Sequence, residues 1–286
     1  MSTNQRTLFQ SRRRRRKVGP RSRRALTLLE LMLAIAVTLM IVAAMGGLAR
    51  TVQQSYEYSQ GYGVATQHAR VAIDRIVQNV SQAAANNAFP GCLVVPEAAD
   101  ASRCPDTLVL WRPAGGTASS VNVLPLFSEL VIYCPNPESP QQLLELTAAS
   151  DTRTVPAADD LAAWQTELAA LKSAATTQKI VLTPLLRTAS TTGGTSSSEL
   201  RGAVRFETRL RPSADDWDGY TAGSITWKNL PWTQGIYGTK TGLRQVWVRM
   251  ELQMRPGEAW ISTNPAAARS LPFFGSAALY YTMTHP

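Results

Sequence analysis

The sequence predicts an α+β protein, a long N-terminal helix packed on an antiparallel β-sheet head. Three observations carry that reading. An apolar run at residues 26–48 follows a strongly basic start. Apolar residues then recur at steps of three and four as far as residue 84. From residue 92 onward, short β-rich runs alternate with Pro, Gly, Asn and Ser.

The basic start explains the charge of the chain. Residues 1–25 hold ten Arg or Lys and no acid, whereas the rest holds 19 basic and 20 acidic side chains. The formal charge of +9 therefore belongs to the first 25 residues and the body is near neutral. No nucleic-acid partner is expected of such a body. At 44% hydrophobic and 17% charged residues, the chain is neither disordered nor a multispanning membrane protein. His68 and His285 lie far apart, and Cys92, Cys104 and Cys134 lack the C-x-x-C spacing of a zinc site. No Walker loop, G-x-G-x-x-G turn, H-E-x-x-H helix or nucleophile elbow occurs, so an enzyme is not expected.

The apolar run at 26–48 makes a helix of roughly 34 Å at ~1.5 Å per residue. That length crosses a hydrocarbon core of ~30 Å. The basic flank places the N-terminus in the cytoplasm and everything after Arg50 on the other side. A cleavable secretory signal is the rival reading, with Ala44-Met45-Gly46 as its small-x-small site. The run is too long for that signal, and Glu30 interrupts it. An ionised carboxylate so placed costs about 2.5–3.5 kcal/mol on insertion scales, so Glu30 either snorkels to the headgroups or has a partner and a role.

The segment Arg23-Arg24-Ala25-Leu26-Thr27-Leu28-Leu29-Glu30, followed by an apolar helix, resembles the class III signal of type IV pilins and type II secretion pseudopilins. The resemblance implies a leader at 1–25 that a prepilin peptidase removes, cutting between Ala25 and Leu26 and methylating the new N-terminus at Leu26. It also makes Glu30 the glutamate at the fifth mature position. There the carboxylate meets the free amine of a neighbouring subunit and sets the axial register in a filament. The chain departs from the common pattern in having Ala25 where Gly is usual and Leu26 where Phe or Met is commoner. The expected partners are the peptidase, other pilins or pseudopilins, an inner-membrane assembly platform and a secreted substrate. The expected location is the bacterial inner membrane, single-pass with a periplasmic head, and a pilus or pseudopilus after assembly.

Residues 49–89 read as the amphipathic continuation of the helix. Ala65, Ala69, Ala72, Ile73, Ile76, Val80 and Ala84 form its apolar stripe, and Pro90-Gly91 ends it. Gly46-Gly47 and Gly61-Tyr62-Gly63 are places where it tolerates glycine or else bends or melts on assembly. Residues 67–82 are similar to a helix of the larger minor members, the J-type pseudopilins and W-type minor pilins. A minor, tip-proximal subunit follows from that similarity. The alternative from another class is a bitopic, membrane-anchored binding module that never polymerises.

The head, residues 90–286, is expected to hold strands at 107–111, 129–134, 142–147, 179–183, 199–210, 243–254 and 277–283, with an inserted helix at about 159–175. The runs at 129–134 and 142–147 flank a Pro-rich turn and read as a hairpin. Residues 114–120 and 188–198 read as loops. Cys92 and Cys104 could close a small disulfide loop in an oxidising compartment. Asp215, Asp216 and Asp218 precede Gly219 and supply the oxygen ligands of a possible calcium site, or else a polar turn. No other cofactor is expected. Arg201, Arg205, Arg209 and Arg211 alternate along one run, as an anion site or a solvated strand face. The aromatic stretch from Trp217 to Trp232 is either a contact patch or a cover for the sheet.

Overall fold

A computed structural model of the chain describes residues 27–96, 106–113, 123–191, 199–256 and 270–285. The first helix, α1, is Leu28–Ser81, 54 residues long. The glycine pairs do not interrupt it: Gly46, Gly47 and Gly63 are all helical. The chain divides into two units, one up to Ser55 and the other from Tyr56 onward.

In the first unit every described residue of α1 is exposed, Leu28, Leu29, Leu33 and Met40 among them. Two of its threonines are bonded within the helix. Thr38 Oγ1 donates to Ala34 O at 2.7 Å and Thr51 Oγ1 donates to Gly47 O at 3.1 Å. Such i−4 back-bonding leaves fewer polar groups to satisfy in an apolar surrounding. By length and composition, α1 is a candidate membrane span near the N-terminus.

The second unit begins where α1 becomes amphipathic. Ala65, Ala69, Ala72, Ile76 and Val80 are buried, as the stripe requires. The helix closes with Ala83 N–H bonded to Val80 O at 3.2 Å, a tightened last turn. Asn86 Oδ1 then accepts from the N–H groups of Ala88 and Phe89 at 2.9 and 2.8 Å, forming an Asx turn. Gly91, at φ +81°, completes the reversal, and a Cβ there would lie 2.4 Å from Ala84 O.

Five antiparallel strands follow in the order β1 (Cys92–Val95), β2 (Thr107–Trp111), β3 (Leu130–Pro135), β4 (Leu143–Thr147) and β5 (Gln178–Thr183). Between β4 and β5 lies α2 (Leu161–Ser173). Asp160 caps α2 by accepting from Ala163 N–H at 3.0 Å, and Lys172 in its last turn suits the helix dipole. Trp164 and Leu168 of α2 are fully buried in a cluster with Phe89, Trp111 and Phe127. Burying each such large side chain contributes about 1.5–3 kcal/mol.

A two-stranded ribbon, β6 (Thr188–Thr191) with β7 (Glu199–Gly202), leads into a second antiparallel sheet. That sheet runs β10–β9–β8, with β8 Val204–Arg211, β9 Thr241–Met254 and β10 Leu271–Thr284. Between β8 and β9 lies a short helix, α3 (Ala214–Thr221). Strand β9 alternates buried and less buried residues almost throughout, as a sheet with one face on the core must. Val246, Val248, Met250 and Leu252 share a core with Phe206 and the stripe of α1. Contact between helix and sheet is close: a Cβ on Gly275 would stand 2.6 Å from Ile73 Cγ2.

Several boundaries differ from the sequence reading. The long helix ends at Ser81 rather than running to 89, before Pro90-Gly91, because the Asx turn at Asn86 redirects the chain first. The expected strand 199–210 is two strands. Ala203 separates them, accepting from Gln253 N–H and donating to Arg187 O. Gly202 allows the break, since a Cβ there would meet Pro140 O at 2.4 Å. Strand β10 begins six residues before the expected 277. Strands β1 and β6 were not expected, and β6 opens the stretch read as a loop at 188–198.

Candidate functional site

Of the residues that the signal-like segment singles out, Ala25 and Leu26 lie outside the described residues. Thr27 and Glu30 are described, and they form a reciprocal cap. Glu30 N–H donates to Thr27 Oγ1 at 3.3 Å, and Thr27 N–H donates to Glu30 Oε2 at 3.3 Å. Two backbone donors that a helix start leaves open are thereby satisfied. The negative carboxylate also sits at the positive end of the helix dipole. Glu30 is exposed, with Leu28, Leu29 and Leu31 around it. This local role of Glu30 is separate from the intermolecular one that the resemblance implies. The signal was present as Thr27-Leu-Leu-Glu30, the T-x-x-E spacing of a capping box ahead of an apolar run.

A second polar constellation ties the amphipathic part of α1 to the five-stranded sheet. Arg75 makes a bidentate pair with Glu145, Nε to Oε2 and Nη2 to Oε1, both at 2.9 Å. Tyr133 stands directly opposite Glu145 in the β3–β4 register and donates its OH to Oε2 at 3.1 Å. Asn79, one turn beyond Arg75, donates Nδ2 to the Tyr133 hydroxyl. Arg112 then donates Nη1 to Asn79 Oδ1 at 2.9 Å. Asn79, Tyr133 and Glu145 are buried, while Arg75 keeps 42% of its side chain exposed.

Burial pushes the Glu145 carboxyl upward, but the hydrogen bond and charge of Arg75, with Tyr133 and Arg112, outweigh it and leave it below 4.5. Glu145 is therefore held as a carboxylate among its donors. Burial raises the Tyr133 hydroxyl well above its ordinary value. This network is a latch between α1 and the sheet, and of its members Arg112 also lines a shallow pocket with Gln82, Glu129 and Thr147.

Cys92, which could pair with Cys104, is a buried, free thiol that burial pushes up to about 12. Its expected partner, Cys104, lies outside the described residues. The acidic triplet, read as a calcium site or a polar turn, lies in the helix α3. Asp216 caps that helix through Ser213, accepting from Ser213 N–H at 2.9 Å and Ser213 Oγ at 2.6 Å. These bonds hold the Asp216 carboxyl below its ordinary value. Among the described residues no three His, Cys, Asp or Glu side chains gather as a metal group, so Asp215 and Asp218 do not join Asp216 in one.

Of the four arginines, Arg205, Arg209 and Arg211 are exposed along one face of β8, a solvated strand face, and Arg201 belongs to β7. Arg201, in β7, pairs with Asp106 at 3.4 Å, whereas Arg209, in β8, pairs with Glu207 at 2.7 Å. The aromatic stretch covers the sheet: Trp227 and Trp232 are buried, with ring centroids 4.6 Å apart, and Trp232 donates Nε1 to Trp227 O at 2.8 Å. His285 reaches Tyr220 OH at 3.1 Å and is exposed.

No family model, no curated protein and no solved structure matches this chain.

Proposed function

We propose that this chain is a prepilin-type structural subunit. In this reading residues 1–25 are a leader removed by a prepilin peptidase, Leu26 becomes the methylated N-terminus, and α1 packs in the core of a pseudopilus or pilus. The observation that carries the reading is the start of α1. A basic segment without acids is followed by a long apolar helix whose first turn holds one carboxylate, Glu30.

The cap adds a physical reason for Thr27. Before assembly, Glu30 is satisfied by Thr27 and by the helix dipole, which lowers the cost of holding a carboxylate at the membrane boundary. During assembly the same carboxylate exchanges part of that cap for the amine of a neighbouring subunit. The buried latch in the head keeps the lower part of α1 on the sheet while the apolar part changes surroundings. The size of the head and its inserted α2 favour a minor subunit near the tip over a shaft subunit.

Replacing Glu30 with Leu tests the reading. The variant is expected in the membrane fraction at the normal level and missing from sheared filaments. Normal incorporation of Glu30→Leu would remove the role given to the carboxylate.

A further inference from the structure

Strand β5 ends the five-stranded sheet and β10 ends the three-stranded one. The two sheets meet at β1 and β8, so β5 and β10 are the outer edges. They stand on opposite flanks of the amphipathic part of α1. Ile73 approaches Gly275 of β10, whereas Arg75 holds Glu145 of β4, the neighbour of β5. Two residues of helix turn about 200°, which puts these contacts on either side of the buried stripe. Among the described residues no backbone group pairs with the outer side of either strand.

The two edges run in opposite directions. β10 runs with α1, since Gly275 lies by Ile73 and Thr284 O accepts from Asn87 Nδ2 at 3.2 Å. β4 does so too, since Glu145 bonds Arg75 and Thr147 lines a pocket with Gln82. β5 is antiparallel to β4 and therefore runs against α1.

Their hydrogen-bond phases also agree. Gln253, opposite Pro272, turns its N–H to Ala203 and its C=O to Arg187, so the even-numbered residues of β10 direct their N–H and C=O groups outward. Asn136 N–H bonds Gln142 O, so Glu145 bonds towards Ile180, and Lys179 and Val181 are left to direct their groups outward. On both strands these outward residues carry side chains on the face away from α1. In β10 the odd-numbered Leu279, Tyr281 and Met283 join the core with the helix stripe. In β5 it is Ile180 that shares a face with Glu145, the partner of Arg75. β10 has no charged side chain and no bulge, and it leaves Phe274 58% exposed. β5 exposes Ile180 and Val181, at 39% and 48%, on its two opposite faces. Its one charge, Lys179, donates Nζ to Lys172 O of its own chain.

We propose that β10 of one copy of this chain pairs antiparallel with β5 of a second copy, a head-to-tail contact between heads standing side by side. Because the edges run oppositely, the amphipathic parts of both α1 helices then run the same way, as single-pass chains entering one membrane from the same side require. Equal height sets the register. Ile180 lies, through Glu145, at the level of Arg75, and Gly275 lies at that of Ile73. These levels are about 3 Å apart along the helix. Ile180 therefore falls opposite Gly275, and Val181 falls opposite Phe274, a β-branched residue against an aromatic ring. Lys179 falls opposite Ser276, so no like charges meet. Common anchoring raises the effective concentration, which makes the short ladder offered by β5 sufficient. Each copy keeps one edge open, so the contact repeats from copy to copy. It rests on the membrane anchoring in the proposed function and not on cleavage at residue 26.

Cross-linking of the full chain in isolated membranes tests this. In a Cys104→Ser background, Lys179→Cys and Ser276→Cys are made separately and co-expressed, then treated with a short bismaleimide. The two positions face each other in the proposed register, whereas within one copy they lie on opposite flanks of α1. A cross-linked dimer is expected from the mixture and from neither variant alone. Using Thr282→Cys in place of Ser276→Cys moves the thiol ~20 Å at ~3.3 Å per residue and should lower the yield at least ten-fold. Val181→Pro, which removes an outward N–H, should do the same while thermal unfolding of the head is unchanged. Absence of the mixed link, equal linking through Thr282→Cys, or equal linking in a folded Val181→Pro head would each overturn the proposal. The link is expected with and without the prepilin peptidase, so its failure is distinguishable from failure of the processing assigned to residue 26.

Discussion

At the scale of single residues, two carboxylates carry the account, and each is held by a defined set of donors. Glu145 is buried and bonded to Arg75 and Tyr133. Removing Arg75 by Arg75→Met leaves that carboxylate short of its main partner. The change should cost about 1–3 kcal/mol, read by thermal unfolding of the head. Because Glu145 is held below its ordinary value in the folded state, the unfolded chain binds more protons at low pH. Its stabilising contribution is fully present above about pH 4.5, the ordinary value, and is lost as pH falls through the folded value. Glu145→Gln should remove that part of the acid sensitivity and leave stability flatter in this range. Glu30 is the second carboxylate. Thr27→Ala takes away one half of its cap and should cost about 1 kcal/mol, seen as roughly five-fold faster amide exchange at residues 28–30. An unchanged exchange rate would separate Thr27 from the helix start.

At the scale of elements, what the sequence made legible follows the reach of each signal. Periodicity located α1, α2 and the long strand β9, because a face repeated over many residues leaves a pattern that turns do not mask. The β3–β4 hairpin was legible from its Pro-rich turn. Strand β6 was not, since Thr188-Ala-Ser-Thr191 has the composition of a loop and becomes a strand only by pairing with β7. The break at Ala203 was hidden for a similar reason: it depends on Arg187 and Gln253, both distant in sequence. The latch was also illegible, because Arg75, Asn79, Arg112, Tyr133 and Glu145 come together only when α1 lies on the sheet. Close packing of that helix can be tested at Gly275. Gly275→Val should destabilise the head by about 1–3 kcal/mol, since its side chain meets Ile73 and Met250. Wild-type stability in that variant would mean that helix and sheet do not approach as closely as described.

At the scale of the whole molecule, the proposed function gives each region a distinct task. On that proposal the ten basic residues of the first 25 would orient the chain and then be removed, and the charge of +9 would describe the precursor. On the same proposal the apolar part of α1, a candidate membrane span, would later pack in the filament. The latched head would present its surfaces to partners. Its buried thiols at Cys92 and Cys134 and its capped acidic helix α3 serve packing. All of this depends on where the mature chain starts. Mass spectrometry of the N-terminal peptide, from cells with and without the prepilin peptidase, measures that directly. The account predicts a methylated Leu26 when the peptidase is present and an uncut Ala25–Leu26 bond when it is absent. An intact Met1 in the presence of the peptidase, or a cut near Gly46, would contradict it.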